Sequence, residues 1–259
     1  MKVLLDRGDV HPDASDFYGQ TPLIRAAERG HVGIVKLLLQ REDDNPDTLD
    51  ADDIMPLLYA ARYGHRDVVK LLMERVNVDL IGCGQKVLAY AALSGCEDIV
   101  ELFLKSGYLD PHWSDGIGRT QLSYAAQGGC EGFVGLLLER GDVDPDLPDE
   151  NGQTPLSHAA QQGSKTLGVV KLLLQQGDVN PNTLDCDGNT PLSHASIYEY
   201  SGVAKSLLDH RDIDPNTLGW GRRTPLSLAA ETGNLLLVEL LLERPDVTPF
   251  CQIVMAGHH

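Results

Sequence analysis

The chain repeats one short motif, Thr-Pro-Leu, at nearly constant spacing. Four copies are intact and three have changed, and the copies begin 34, 31, 34, 34, 36 and 34 residues apart. Their first residues are Thr21, Met55, Lys86, Thr120, Thr154, Thr190 and Thr224. A period in this range indicates one supersecondary unit copied in a row, which decides the architecture before any other feature does. Such a scaffold presents a surface for binding.

One unit explains the repeat in physical terms. Thr154 can cap a helix with its hydroxyl, and Pro155 suits the first helical position, where no N–H is needed. Leu156 and the two alanines that follow it form one apolar helical face. Gly163 ends this short helix, and the nearly continuous valines and leucines over 169–174 predict a second, more buried helix. Each unit is therefore predicted to be a pair of antiparallel helices.

This pattern resembles the ankyrin repeat over about residues 1–247. The shared features are Gly-x-Thr-Pro-Leu, a pair of alanines, a glycine, Val-Val-x-Leu-Leu-Leu and Gly-Asp-Val-Asp. The resemblance implies an all-α solenoid in which each repeat adds a β-turn and two helices, with turn tips and first helices lining a concave groove. The ankyrin pattern has His after Thr-Pro-Leu, where this chain has Ser123, Ser157, Ser193 and Ser227. This variant of the motif, with Asp-Val-Asp-Pro and Thr-Pro-Leu-Ser, resembles ankyrin arrays common in fungi.

We expect a single ankyrin-repeat domain over residues 1–259. It comprises a half-repeat at 1–15, seven repeats at about 16–49, 50–80, 81–114, 115–148, 149–184, 185–218 and 219–247, and a short tail at 248–259. The sixth repeat departs from the others, because Glu199 replaces the glycine expected nine residues after Thr190.

Composition limits the partners and the compartment. With 21 basic and 38 acidic residues the formal charge is −17, which disfavours nucleic acid because phosphate contacts need clustered Lys and Arg. The acidic stretch over 42–53 is interpreted as a solvated loop. The five cysteines form no Cys-x-x-Cys pair and are expected to be reduced. We therefore expect a cytoplasmic monomer with no membrane span, metal or cofactor.

A column of large polar side chains carries the functional signal. Four residues beyond each Thr-Pro-Leu start, the chain has Arg25, Tyr59, Tyr90, Tyr124, His158, His194 and Leu228. Residues seven and eight beyond each start share this face of the first helix. Five of the eight tyrosines lie on this face, and tyrosine suits binding hot spots. The candidate binding residues are Arg25, Tyr59, Arg62, Tyr63, Tyr90, Tyr124, His158, Gln162, His194 and Trp220.

Three interpretations of this column stay open at the level of sequence. The first is a groove that binds a protein partner, with Trp220 as an anchor at its edge. The second is a small-molecule site or an enzyme whose acid–base chemistry uses Tyr124, His158 and His194. The third is simple packing between neighbouring repeats. Against catalysis, the sequence has no nucleophile elbow, phosphate loop or zinc-ligand spacing.

Overall fold

The computed structural model describes most of the chain. The described residues are 14–40, 46–75, 80–105, 107 and 109–248. Most of the expected half-repeat, the tail beyond 248 and Cys251 lie outside them, as do the side chains at 80–82 and the side chain of Trp220. The chain divides into two compact units, residues 1–110 and 111–259. Each unit is described by itself.

The described residues contain fourteen α-helices and no β-strand beyond one isolated antiparallel bridge between Ser114 and Thr120. The helices are α1 (Pro22–Glu28), α2 (Val32–Leu39), α3 (Pro56–Arg62), α4 (Arg66–Arg75), α5 (Leu80–Leu93), α6 (Glu97–Lys105), α7 (Gln121–Gly128), α8 (Glu131–Glu139), α9 (Pro155–Ala160), α10 (Leu167–Leu174), α11 (Pro191–Ile197), α12 (Ser201–Leu208), α13 (Pro225–Thr232) and α14 (Leu235–Leu242). The predicted all-α fold of paired helices is therefore confirmed.

The threonine of the repeated motif begins the first helix of most pairs. The Thr154 hydroxyl accepts a hydrogen bond from the backbone N–H of Ser157 at 3.2 Å, as the sequence predicts. Thr21, Thr120, Thr190 and Thr224 cap their helices in the same way. The buried Ser157 hydroxyl also lies 3.2 Å from that of Thr154. Serine after Thr-Pro-Leu therefore satisfies its hydroxyl within the cap, which explains how the chain tolerates the departure from His.

Within each unit the helices form two layers. First helices pack side by side, α1 with α3 and α3 with α5, and second helices pack on second helices in the same order. In the other unit the first helices α7, α9, α11 and α13 follow one another in the same manner, as do α8, α10, α12 and α14. Ala159 and Ala160 are fully buried in this layer, and their small side chains allow adjacent helices to approach closely.

The turn tips of adjacent repeats are joined by backbone hydrogen bonds. The N–H of Ala51 donates to the carbonyl of Tyr18 at 3.1 Å in the first unit. The N–H of Cys186 donates to the carbonyl of Asn151 at 2.8 Å in the second. Because each bond joins residues of consecutive repeats, the tips stack in register.

The loops that follow the second helices are joined by side chains. The Asn182 amide donates to the Asp212 carbonyl at 2.7 Å and accepts from the Asp214 N–H at 2.8 Å. Asn216 makes the same two contacts, with Asp246 and Thr248 in the next loop. One asparagine therefore bridges each of these pairs of loops by donating and accepting at once.

Two local features depart from a regular repeat. The third repeat has no separate turn tip, because α5 begins at Leu80 and runs through the positions where other repeats have their turn. Ile81 replaces the turn aspartate and Lys86 the capping threonine, so no residue there ends or restarts a helix. In the sixth repeat, Glu199 adopts a left-handed φ of 61°. Glycine holds this conformation in the other repeats, for example Gly233 at φ 76°.

Candidate functional site

Five of the six polar residues of the column are bonded to the turn aspartate of their own repeat. The Tyr59 hydroxyl donates to Asp50 Oδ2 at 2.7 Å, and the Tyr124 hydroxyl donates to Asp115 Oδ2 at the same distance. The equivalent bonds involve His158 Nε2 and Asp149 at 3.0 Å, His194 Nε2 and Asp185 at 2.7 Å, and Arg25 and Asp16 at 3.0 Å. In all five repeats the partners are nine residues apart.

The same aspartate also holds the turn. Asp149 Oδ1 accepts the backbone N–H groups of Asn151 and Gln153 at 2.9 and 3.0 Å, while Oδ2 receives the histidine. Asp50 and Asp185 accept two turn N–H groups in the same way. One carboxylate therefore closes the turn and fixes a side chain of the first helix. The column residue supplies a hydrogen-bond donor to the second oxygen of this carboxylate.

Two repeats lack the turn aspartate, and the last of them supports this interpretation. The position nine residues before Tyr90 is Ile81, and the position nine residues before Leu228 is Gly219. Leu228 cannot donate a hydrogen bond, so the column loses its donor where the turn loses its acceptor. Tyr90 is half-buried and lies beside the guanidinium of Arg62.

Four of the column side chains are buried. Tyr59, Tyr124, His158 and His194 expose between 4% and 7% of their surface. Burial, followed by the hydrogen bond to Asp50, raises the pKa of Tyr59 to about 12. The phenol therefore stays protonated and remains a donor. This placement favours the packing interpretation for these four residues.

The pKa of His158 also favours the packing interpretation. Burial first, and then the positive charge of Arg119, lower the pKa of His158 to about 4, although Asp149 opposes the shift. The imidazole is therefore neutral near pH 7. A catalytic base needs a pKa near the working pH and access to a substrate proton. His158 has neither, since its Nε2 is bonded to a carboxylate inside the stack.

A stack of three rings joins the buried column to the surface in one repeat of each unit. In the first unit, Tyr63 is 50% exposed and lies parallel to the buried Tyr59 ring, with ring centroids 6.5 Å apart. His65 also packs against Tyr63, with ring centroids 6.5 Å apart and planes at 31°. The His65 Nε2 atom lies 2.9 Å from the carbonyl of Glu28 in the preceding repeat. We call Tyr59, Tyr63 and His65 the first ring stack.

The second unit repeats this arrangement at equivalent positions. Tyr198 is 49% exposed and stacks on the buried His194 ring, with centroids 6.4 Å apart and planes at 12°. Tyr200 stacks on Tyr198 at 5.9 Å. A Cβ added to Gly163 in the preceding repeat would lie 2.8 Å from the Tyr200 ring, so this ring packs directly on that glycine. We call His194, Tyr198 and Tyr200 the second ring stack.

The other predicted site residues differ in exposure. Arg25 is exposed and pairs with both Asp16 and Glu28. Arg62 is exposed and lies over Tyr63 and Tyr90, whereas Gln162 is half-buried beside a 3₁₀ turn at Gly163–Thr166. The Trp220 side chain lies outside the described residues. The structure thus separates the nine candidates whose side chains it describes into four buried residues and five exposed or half-buried ones.

Sequence reasoning missed several neighbours of the column. The guanidinium carbon of Arg119 lies 4.3 Å from the centre of the Tyr124 ring, and Trp113 packs on the same ring at 6.3 Å. Arg119 also donates to Gln127. The nine-residue spacing between turn aspartate and column residue is visible in the sequence and would have revealed the pairing. Arg119 recurs as Arg223 directly before the motif of the last repeat, which could have pointed to it, whereas Trp113 has no counterpart in the other repeats.

A separate cavity of about 480 Å³ lies at the helix–helix turns of the first two repeats. Its lining residues are Gly30, Val32, Gly64, His65, Arg66, Asp67 and Val68. The column residues do not line it. Among the described residues, no three His, Cys, Asp or Glu side chains are grouped so that they could hold a metal ion. Cys83, Cys96, Cys130 and Cys186 form no disulfide there.

Comparison with known families decides the classification. A model of three consecutive ankyrin repeats matches residues 41–115, 57–149, 88–185, 122–218 and 167–251, and a model of a single ankyrin repeat matches residues 18–51. The chain belongs to the ankyrin-repeat family. Ankyrin repeats are generally modules for protein–protein interaction. No curated protein matches the chain. Within the described residues, the helices are all too short or too polar to cross a membrane.

Proposed function

We propose that this ankyrin-repeat chain is a protein-recognition module that contacts its partner with the exposed tyrosines of the two ring stacks. The observation that carries the proposal is the recurrence of the stack, with Tyr63 and Tyr198 half-exposed at equivalent positions. Tyrosine offers a large contact area and one polar atom at low entropic cost. The buried ring below each tyrosine fixes its orientation, which lowers the entropy lost on binding.

The ten candidate residues then divide by task. Tyr59, Tyr124, His158 and His194 support the turn tips from inside the stack. Direct contact with the partner is assigned, as part of this proposal, to Arg25, Arg62, Tyr63 and Tyr90 in the first unit and to Gln162 and Trp220 in the second. Tyr198 joins the contact set because it is the exposed member of the second ring stack.

The alternative of a small-molecule site or an enzyme has less support. Both candidate catalytic histidines are buried and bonded through Nε2 to a turn aspartate. The Tyr124 hydroxyl is bonded to Asp115 in the same way. Acid–base chemistry at His158 or His194 would have to use Nδ1, and the burial of both rings limits the access of a substrate to that atom.

Three further expectations remain predictions from the sequence. They are a monomeric state, a cytoplasmic location and a fungal-type array. The absence of disulfides among the described cysteines is compatible with a reducing compartment. Light scattering of the purified chain tests the first expectation, and localisation of the protein in its source cell tests the second.

Panning a phage-displayed library of random peptides on the whole chain tests the recognition role. Peptides selected on the unmodified chain should bind Tyr63→Ala or Tyr198→Ala at least about tenfold more weakly, which is the loss expected for a hot spot. Leu235→Ala is the control, since Leu235 is 68% exposed but lies on the second helix α14. Selected peptides that ignore both tyrosines, or that depend on Leu235 instead, would place recognition on another surface.

A further inference from the structure

Arg62 stands out on the face that carries the first ring stack. It is the last residue of α3, and its guanidinium carbon lies 5.9 Å from the ring centre of Tyr63 and 5.6 Å from that of Tyr90. Tyr63 is itself held by Tyr59, which is bonded to Asp50. The guanidinium is therefore exposed and lies close to two aromatic rings. One of them, Tyr63, packs on the buried ring of Tyr59.

Arg62 forms no ion pair with a carboxylate in the described part of the chain. This is informative because the chain has 38 acidic residues for 21 basic ones, so carboxylates are abundant. Arg29, Arg75, Arg119 and Arg222 also lack such a pair among the described residues, but of these five arginines only Arg62 lies over two tyrosine rings. Six other arginines pair with a neighbouring carboxylate. They are Arg25, Arg66, Arg140, Arg211, Arg223 and Arg244.

Arg62 also differs from the residues at the equivalent position of other repeats. Arg62 lies seven residues beyond the start of its repeat, where the first and last repeats have Glu28 and Glu231. Each of these glutamates is neutralised by an arginine of its own repeat, Arg25 at 3.4 Å and Arg223 at 2.8 Å. The second repeat instead carries an arginine whose charge is balanced by no neighbour among the described residues.

We propose that Arg62 receives an oxyanion of the partner protein, a carboxylate or a phosphate, next to an apolar or aromatic side chain that packs on Tyr63. The inference rests on the proposed recognition function and specifies the chemistry of the partner segment. A guanidinium can bind an oxyanion through two parallel N–H donors, and aromatic rings on its flanks hold its plane. Charge complementarity favours an anionic group of the partner at this position, because the exposed guanidinium carries a positive charge.

The net charge of −17 acts against this partner at long range, whereas Arg62 attracts it at close range. Repulsion between the acidic chain and an acidic segment is screened by salt within about 10 Å at 0.1 M. The contact with Arg62 is made at hydrogen-bond distance, where screening is weak. Selectivity at this point therefore comes from the local pair and not from the field of the whole protein.

The test is the composition of peptides selected from the random library by the whole chain and by two variants. Arg62→Gln removes the cation, and Arg75→Gln removes an exposed cation of the same kind from the second helix α4. Asp and Glu should be enriched in peptides selected by the unmodified chain and by Arg75→Gln, but not by Arg62→Gln. One selected peptide should bind Arg62→Gln at least about tenfold more weakly.

A second arm distinguishes the two oxyanions. In that peptide the acidic residue is replaced by its amide and, separately, by phosphoserine. Loss with the amide and retention with phosphoserine indicates a general oxyanion site, while loss with both indicates a carboxylate site. An acidic preference that survives in Arg62→Gln overturns the inference, as does enrichment of Lys and Arg.

These failures leave the recognition role intact if binding still depends on Tyr63 or Tyr198. If no peptide is retained by the unmodified chain, both proposals fail. A purely structural role of Arg62 at the end of α3 would lower the urea midpoint of Arg62→Gln without changing the composition of its selected peptides, and that result also overturns the inference.

Discussion

At the scale of single residues, one aspartate in each of five repeats accepts bonds from the turn and from a side chain nine residues later. Arginine, tyrosine and histidine all serve as that donor, in Asp16–Arg25, Asp50–Tyr59 and Asp149–His158 for example. The sequence reveals the column and its spacing. It does not reveal burial, because a tyrosine or histidine on a helix face has the same pattern whether it faces a groove or a neighbouring tip.

His158 provides a pH-dependent prediction at this scale. The folded chain holds the pKa of His158 at about 4, whereas an unfolded histidine titrates near 6.5. Between these values the unfolded chain binds a proton that the folded chain does not. The stability associated with neutral His158 is therefore fully present above pH 6.5 and decreases as the pH falls, by roughly 2 kcal/mol at about pH 5.

The measurement is the urea midpoint at about pH 7.5 and about pH 5 for the unmodified chain and for His158→Tyr. Tyrosine is the natural alternative at this position of the repeat, as Tyr124 with Asp115 demonstrates. The variant should lose less stability on acidification, because its phenol does not titrate in this range. An equal loss in both proteins would mean that His158 does not contribute to the acid sensitivity.

At the scale of elements, the sequence predicted the starts of α1, α9, α11 and α13 from threonine followed by proline, and these starts are confirmed. The largest departure among the first helices is α5, where the motif has changed to Lys86 and Val87 and the helix begins at Leu80. A pattern search still places a repeat there because the apolar spacing persists. It cannot tell that the turn is lost, since nothing in that spacing depends on Ile81.

The loops between repeats give a prediction at the same scale. Asp146 occupies the position of Asn182 and Asn216, and its Oδ2 accepts the N–H of Asn180 at 3.3 Å. Its buried Oδ1 has no hydrogen-bond partner, whereas the amide nitrogens of the two asparagines donate to the next loop. Burial raises the pKa of Asp146. Asp146→Asn should therefore stabilise the chain by about 1 kcal/mol, because it supplies the missing donor.

The matched control for this prediction is Asn182→Asp, which removes the donor to Asp212 and should destabilise the chain by a similar amount. Both changes are read as shifts of the urea midpoint near neutral pH. A lower urea midpoint in Asp146→Asn, or a higher one in Asn182→Asp, would show that the loops are not joined by this pair of bonds.

At the scale of the whole molecule, the repeat period and the family matches agree on an all-α ankyrin-repeat chain. Two compact units each carry one ring stack, which the sequence did not predict. The sequence does not distinguish Tyr59 from Tyr63, because both lie on the same face of the first helix. Their different tasks follow only from burial and from the bond to Asp50.

The most direct test of this division between buried support and exposed contact is the removal of a single oxygen atom from either ring of the first stack. Tyr59→Phe deprives the buried Asp50 carboxylate of its 2.7 Å donor and should lower the free energy of unfolding by about 1–3 kcal/mol. Tyr63→Phe removes an oxygen from a half-exposed ring and should change it by less than about 0.5 kcal/mol. Urea unfolding of the two variants side by side measures both values. Equal losses, or a larger loss in Tyr63→Phe, would contradict the account.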